Sequence, residues 1–496
     1  MSSTQNPATP AYPRRWAALA TLLAAAFMNM IDVSIVNVAL PSIQADLGAS
    51  SSEVEWVVAG YVLAFALFLL PFGRLGDRIG RKRMFMTGVA GFTLFSAFCG
   101  LAPTTEVLIG ARILQGVTGA MMMPQVLAIA QVMFPPHERA FAFSFFGLTA
   151  GLGSVAGPLV GGLLIGGDFF GLDWRPIFLV NIPIGIAVLV LARMLVPTTP
   201  THPNLTNDWG GMAIAGAAIL LVIFPLIEGH ALGWPAWTFG MIAAGILAAA
   251  IFAIYEHRRA AKNQSQLLPA TLLGNGNFLL GALMVLLFFS GSMGLFLFLA
   301  IFLQQGFAFT PLAAGLTTMP FPIGVLLASL MNGRIGARWQ RQRIALGSTM
   351  LLVGMAWLRM TVGGVGDVLD HWLLVAPLFM AGIGMGVAVA PLMQTTLASV
   401  DPRDSGSGAG ALQSVQQLGS AFGIAIAGQI FFSTLATSFA GGSGPHPAFV
   451  AALSTSLIYS IAAFLTVGLL VLLLKPPAGM ARRDGPSAPQ PIPVEA

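Results

Sequence analysis

Apolar residues run through this chain in long uninterrupted blocks, not in the alternations or single faces of a water-soluble fold; charged residues and Gly/Pro clusters separate them. A hydrocarbon core about 30 Å thick needs about 20 apolar residues in a helix. Fourteen blocks of that kind are present, at about 16–40, 56–72, 84–102, 107–133, 140–165, 177–196, 210–228, 237–255, 278–303, 312–331, 343–361, 372–396, 409–436 and 449–474. The pattern predicts an all-α membrane protein with fourteen transmembrane helices. The first block follows Arg14-Arg15 as a secretory leader would. It continues through Asn29 and Asp32 to Pro41 with no small-residue cleavage pattern, so it reads as the first span.

Composition reinforces the pattern. Of 496 residues, 56% are hydrophobic and only 8% charged, with a mean hydropathy of +0.84; a soluble domain carries roughly 25% charged residues. Too few charges exist to cover a chain of 51.8 kDa with solvated surface, so its natural solvent is the lipid bilayer. The net charge of +5 does not point to a nucleic-acid partner, since no basic run extends beyond Arg81-Lys82-Arg83, and none is expected. Cys99 is the only cysteine, which leaves no intrachain disulfide or cysteine metal cluster.

The cations have a sidedness. With the N-terminus placed inside, 20 of the 23 Lys and Arg residues fall in cytoplasmic segments; Arg175 lies in an outside loop, and Arg112 and Arg359 lie within spans. Positive residues are retained on the cytoplasmic side, so both termini are expected there, in a multi-pass protein of the cell membrane, a bacterial inner membrane being the expected setting. The cytoplasmic tails are 1–15 and 475–496, of which 1–13 and the Pro-rich 476–496 read as disordered.

A short pattern recurs. Gly73-Arg74-Leu75-Gly76-Asp77-Arg78 follows the second block and Gly333-Arg334-Ile335-Gly336-Ala337-Arg338 follows the tenth. If blocks 7 and 8 are an insert, the pattern marks the same place in two six-span units: 16–196 and 263–474, with the inserted pair at 197–262. Internal repeats of this kind are typical of transporters whose halves rock about a central site.

At this point the chain resembles the major facilitator superfamily, and within it the fourteen-span drug:proton antiporter branch. Ile31 to Pro41 is similar to that branch's first-span motif, and Gly73 to Lys82 to the superfamily's loop motif between spans 2 and 3. Arg112-Ile113-Leu114-Gln115-Gly116 resembles the fourth-span motif. Gly147 through Gly157-Pro158 to Gly161-Gly162 resembles the span 5 antiporter motif, and Trp174-Arg175 with Asn181 to Gly185 the entry to span 6. The C-terminal half fits more thinly, and Ala337 replaces the acid of the repeated loop motif. The resemblance implies the major facilitator fold, two six-helix bundles plus two inserted helices. It also implies multidrug efflux by alternating access, with protons as coupling ion, no cofactor, and a role in antibiotic resistance.

The residues themselves support candidates. A carboxylate in hydrocarbon is costly unless protonated, paired or wet, so Asp32 can bind and release a proton as its surroundings alternate; a permanently paired structural acid is the alternative. Arg112 lies within about 5 Å of the same depth and either meets Asp32 or biases it; otherwise it snorkels or tethers backbone. The resemblance gives it a part in proton coupling. Asn29, Asn37, Gln115, Met122 and Phe289 are candidate substrate contacts, since a Met- and Phe-rich cavity suits hydrophobic or cationic compounds. Gly73, Asp77, Arg78 and Arg81 stand at the cytoplasmic mouth, where an acid can take a helix N-terminus and pair with an arginine such as Arg139. Gly153, Gly157 and Gly161 form a smooth stripe for close helix approach, and Pro158 permits a bend; together these are the candidate gating residues.

No phosphate-binding glycine loop and no His-Glu-x-x-His motif occurs, which argues against ATP-driven transport, an intramembrane zinc enzyme, or any enzyme. Export of one native lipid or metabolite, and a transporter-like receptor without turnover, stay open. The expected partners are small hydrophobic or cationic molecules, protons and the bilayer; a periplasmic adaptor protein is a candidate, and the unit is expected to work as a monomer.

Overall fold

The computed structural model describes residues 12–167, 171–199, 201, 208–229, 232–262, 264, 266–268, 270–335, 339–400 and 405–474; the expected disordered tails lie almost wholly outside them. Among the described residues the chain is helical throughout, with no strand, and twelve helices are long and apolar enough to cross a membrane.

The first bundle contains α1 (Arg15–Leu47), α2 (Ser51–Ile79), α3 (Arg81–Gly100), α4 (Thr105–Met133), α5 (Pro136–Gly166), the single turn α6 (Pro176–Leu179) and α7 (Asn181–Leu195). Here α2 and α3 pack on α4, while α1 packs on α5 and α7, and α3 on α7. The second bundle contains α10 (Ala270–Leu273), α11 (Gly276–Ile301) with a π-helical turn at Phe302–Gly306, α12 (Pro311–Thr318), α13 (Pro320–Ile335), α14 (Gln340–Gly363), α15 (Trp372–Leu397), α16 (Ser405–Ala440) and α17 (Pro445–Leu470). Between them in sequence come α8 (Trp209–Glu228) and α9 (Ala236–Ala261), which pack on each other. Only 11% of the apolar window of α9 is buried, with Ile246, Leu247 and Ile254 exposed, which suits a helix bathed in lipid.

Two predicted spans are broken. The block at 177–196 divides at Val180 into α6 and α7. Pro183 has no N–H to give Leu179, so the ladder fails there, and the break turns Asn181 into the bundle. The block at 312–331 divides at Met319, before Pro320 and Pro322, into α12 and α13. Elsewhere the helices outrun their apolar blocks: α1 continues through Pro41 to Leu47, where Asp46 accepts from Trp174 and Arg175 at 2.9 Å each. Polar residues beyond the hydrocarbon continue a helix without interrupting it.

Polar contacts join the helix ends at one face. Arg15 pairs with Glu138 at the start of α5 at 2.8 Å, Lys82 donates to the Arg193 carbonyl at 3.0 Å, Arg74 reaches the Gln266 carbonyl, and Arg341 donates to Leu472 at 3.0 Å. On the opposite, far face the two bundles are closed on each other. Gln304 donates to the Val38 carbonyl at 2.9 Å and Gln305 to Gln44 at 2.7 Å, while α5 meets α12 at Pro158 and Gly315.

Candidate functional site

Asp32 and Arg112 meet. Arg112 Nη1 lies 2.6 Å from Asp32 Oδ2, and the two side chains are 1% and 0% exposed. Asp32 Oδ1 accepts from Gln115 Nε2 at 2.9 Å and from Asn181 Nδ2 at 3.0 Å. Arg112 also donates to Gln115 Oε1 at 2.8 Å and, through Nε, to the Val57 carbonyl at 3.1 Å. Its guanidinium lies 4.2 Å from the Tyr61 ring centre. Ser96 and Cys99 form the outer layer: Asn181 donates to Ser96 Oγ at 2.9 Å, Ser96 to the Phe178 carbonyl, and Cys99 to Gln115 at 3.6 Å. All three side chains bonded to Asp32 donate to it. Such a buried pair contributes little net stability, because desolvation offsets its attraction, whereas removing one partner is costly.

A cavity of about 260 Å³ opens beside this knot, between the bundles. The first bundle supplies Asn29, Asn37, Phe65, Met123 and Pro158 among others. The second supplies Phe289, Phe296, Phe321 and Met385, with Gln413, Gln416, Gln417 and Ser420 along α16. No charged side chain lines it among the described residues. Asn29 connects the two places, since it lines the cavity and donates to Tyr61 Oη at 2.6 Å.

The structure thus places Asn29, Asn37 and Phe289 on the cavity wall. Gln115 belongs to the Asp32 knot instead, and Met122 is buried toward Gly88 of α3 while Met123 reaches the cavity. Gly153, Gly157 and Gly161 all face α1, at Met30, Ser34 and Ile35. Asp77 pairs with Arg81 at 2.6 Å, Arg81 also reaching the Ala128 carbonyl; Gly73 faces Pro124, and Arg78 is exposed. The side chain of Arg139, and those of the repeated loop from Gly333 to Arg338, lie outside the described residues.

Sequence reasoning missed Asn181, Tyr61 and the α16 glutamines as site residues. The glutamines had a signal: 413, 416 and 417 share one helical face in an apolar block. Tyr61 had none, because an aromatic in a span is ordinarily packing.

Two closed helical bundles facing each other across a cavity, with a buried charge pair at its side, define a membrane transporter of the alternating-access class. The family model of the Major Facilitator Superfamily matches residues 22–211 and again 209–424. The chain belongs to that superfamily. It is 41% identical over 429 residues to the probable actinorhodin transporter of Streptomyces coelicolor, covering 86% of this chain and 74% of the relative. It is 34% identical over 469 residues to the puromycin resistance protein of Streptomyces alboniger, with 93% and 90% covered. The tetracenomycin C resistance and export protein of Streptomyces glaucescens is 31% identical over 442 residues, with 88% and 79% covered. Among solved structures, an inward-facing, occupied bacterial homologue of the human lysosomal transporter Spinster shares the fold, with a TM-score of 0.66 at 15% identity, covering 94% and 97% of the two chains. The chain is therefore a multi-pass transporter of small molecules and not an enzyme.

Proposed function

We propose that the chain exports aromatic antibiotics or similar hydrophobic drugs from the cytoplasm in exchange for protons, by alternating access. The observation that carries this reading is the uncharged Met-, Phe- and carboxamide-lined cavity set against a sealed acid–arginine pair. A cavity of this chemistry suits flat compounds bearing carbonyl and hydroxyl groups: rings stack on Phe289, Phe296 and Phe321 while amides serve the oxygens. Relatives named as a probable actinorhodin transporter and a tetracenomycin C resistance and export protein support export of such antibiotics.

In the proposed cycle Asp32 takes a proton, loses its charge, and releases Arg112. Cargo at Asn29 acts on the same pair through Tyr61. The stripe of glycines on α5 lets that helix move against α1, and Pro158 lets it bend. Arg81 and Asp77 hold the cytoplasmic mouth.

The topology we favour has fourteen spans, with α3 and α5 added to the twelve helices already described. The first bundle would take in 16–196, the inserted pair 197–262 and the second bundle 263–474, with the termini cytoplasmic in a bacterial inner membrane. The sidedness of the cations supports this. Cavity and charge pair lie within one chain, which supports action as a monomer; a periplasmic adaptor would serve only to carry cargo beyond an outer membrane.

The test is uptake of a fluorescent aromatic dye into inside-out proteoliposomes with an acidic lumen. Uptake that collapses with a protonophore is expected; uptake indifferent to the gradient would sink the proposal. Across a compound panel, transport of several unrelated aromatics favours drug export, and transport of one lipid or metabolite alone favours the native-cargo reading. Gln416→Ala with Gln417→Ala is expected to raise the KM for a hydroxylated aromatic by about fivefold per lost hydrogen bond, near 1 kcal/mol each, while a purely apolar dye is handled as before. Equal losses for both cargoes would remove the glutamines from recognition.

A further inference from the structure

Glu55 is a buried acid without a counter-charge among the described residues. It lies one turn into α2 at the far face, is 2% exposed, and its Oε2 has no hydrogen-bond partner. Its carboxyl crosses the seam between the bundles and rests on the backbone of α16 at Gly428, where an added Cβ would overlap the carboxyl carbon and both oxygens. A third element closes the place. The inserted helix α8 packs on both α2 and α16, and its Glu228 accepts at 2.9 Å from Nε1 of Trp56, the residue that follows Glu55.

Among the described residues nothing near it supplies a positive partner. Helix α16 bears no titratable side chain. On α4, Glu106 stands at the exposed rim and Arg112 is committed to Asp32. On α1, Asp46 is held by Trp174 and Arg175. On α3, Cys99 donates to Gln115, while Arg81, Lys82 and Arg83 begin that helix at the opposite face. On α2 itself, Glu53 is bonded to Ser50 and Tyr61 to Asn29. A bare carboxylate in the seam would be dry, without a donor, and faced only by another acid. The closed seam therefore holds Glu55 as the neutral acid.

We infer that Glu55 is a second proton-binding site, separate from Asp32, loaded from water at the far mouth while the bundles are apart and carried protonated into the seam as they close. The carboxylate takes one proton from water there and returns it when the mouth reopens. Closing the far mouth thus consumes a proton from that side, and α8 completes the wall that keeps the site dry. This gives the inserted helix pair a part in the proton dependence of closure. The inference rests on the alternating-access reading but not on the identity of the cargo.

The closed state binds the extra proton, so raising the pH favours the open state, by at most about tenfold per pH unit for one linked proton. Spin labels on Leu101→Cys and Ala440→Cys, both exposed at the far face, report the separation in the full chain in lipid nanodiscs; Cys99 is buried and out of reach. The ratio of long to short distances is expected to climb with pH in the otherwise unaltered chain. Glu55→Gln, of the same size and neutral at every pH, is expected to abolish the climb and stay closed, whereas Asp32→Asn keeps it. Gly428→Ala is expected to hold the mouth ajar, and adding Glu55→Ala to restore closure, a rescue that a misfolded chain would not show. A pH response in Glu55→Gln equal to the parent's overturns the inference, as does Gly428→Ala closing normally. Two distances insensitive to pH in the parent also overturn it but leave alternating access standing; a single distance at every pH takes down both.

Discussion

Asp32→Asn is expected to reduce gradient-driven export to background in a protein that still folds and still binds cargo. The carboxylate accepts from Arg112, Gln115 and Asn181 at once. Asparagine keeps the shape but offers one oxygen and no charge, so one hydrogen bond and the counter-charge of Arg112 are lost; Gln115, the Val57 carbonyl and the Tyr61 ring still serve the guanidinium, which holds the cost to about 3 kcal/mol, the lower end for a broken buried pair. That is a survivable loss. What does not survive is the ability to exchange a proton, and with it the switch that releases Arg112. Dye transport under an imposed pH gradient, beside dye binding measured by fluorescence quenching, separates the two effects. Full gradient-driven transport by folded Asp32→Asn would remove Asp32 from coupling. Arg112→Ala is expected to be harsher on folding, by about 3–5 kcal/mol, because it leaves a buried carboxylate unpaired; the melting temperature in detergent reports it. A pair that is only structural would instead make stability and transport fall in step in both variants.

The second large effect is expected at Gly157. A Cβ at this position would fall onto Ser34 Oγ, close to the Ile35 backbone nitrogen, because α5 lies directly on α1 there. Ser34 Oγ also reaches the Gly153 carbonyl at 3.3 Å, one turn along the same stripe. Gly157→Val must push the two helices apart, an overpacking penalty of about 1–3 kcal/mol. It also displaces Pro158, which lines the cavity and touches Gly315 of the second bundle. Transport is therefore expected to be lost well before the protein unfolds. Gly157→Ala alone should be milder, and Ser34→Ala should partly rescue it by removing the hydroxyl that the new methyl meets. A Gly157→Val protein with normal melting and normal export would show that α5 does not need this contact.

Much of the fold was legible because lipid makes a simple demand: a span must be apolar for about 20 residues. Where the apolar blocks lie follows from that demand, and the expectation of two six-span units rests on the recurrence at Gly73 and Gly333. The breaks at Val180 and Met319 were less legible. Proline in a span is tolerated when neighbours serve the freed backbone groups, so Pro183 announces a weak point without deciding whether the helix parts there. Pro41 shows the opposite outcome, since α1 runs through it unbroken.

The site divides in the same way. Asp32 and Arg112 stood out because charge in hydrocarbon is rare, and one helical depth put them within reach of each other. Glu55 did not stand out, since it falls one residue before the apolar block at 56–72 and reads as the end of a loop. Only the arrival of Gly428 from the far end of the chain turns that rim position into a dry one.

By itself the sequence determined that this chain lives in a bilayer, that it crosses many times, and which few charges the membrane must accommodate. Those are properties of single segments, settled by transfer from water to lipid. The tertiary structure decided which polar groups surround each charge: donors on every side for Asp32, an acid and a glycine for Glu55. Neighbours drawn from helices hundreds of residues apart set the local solvation of a charge, and no single segment contains that information.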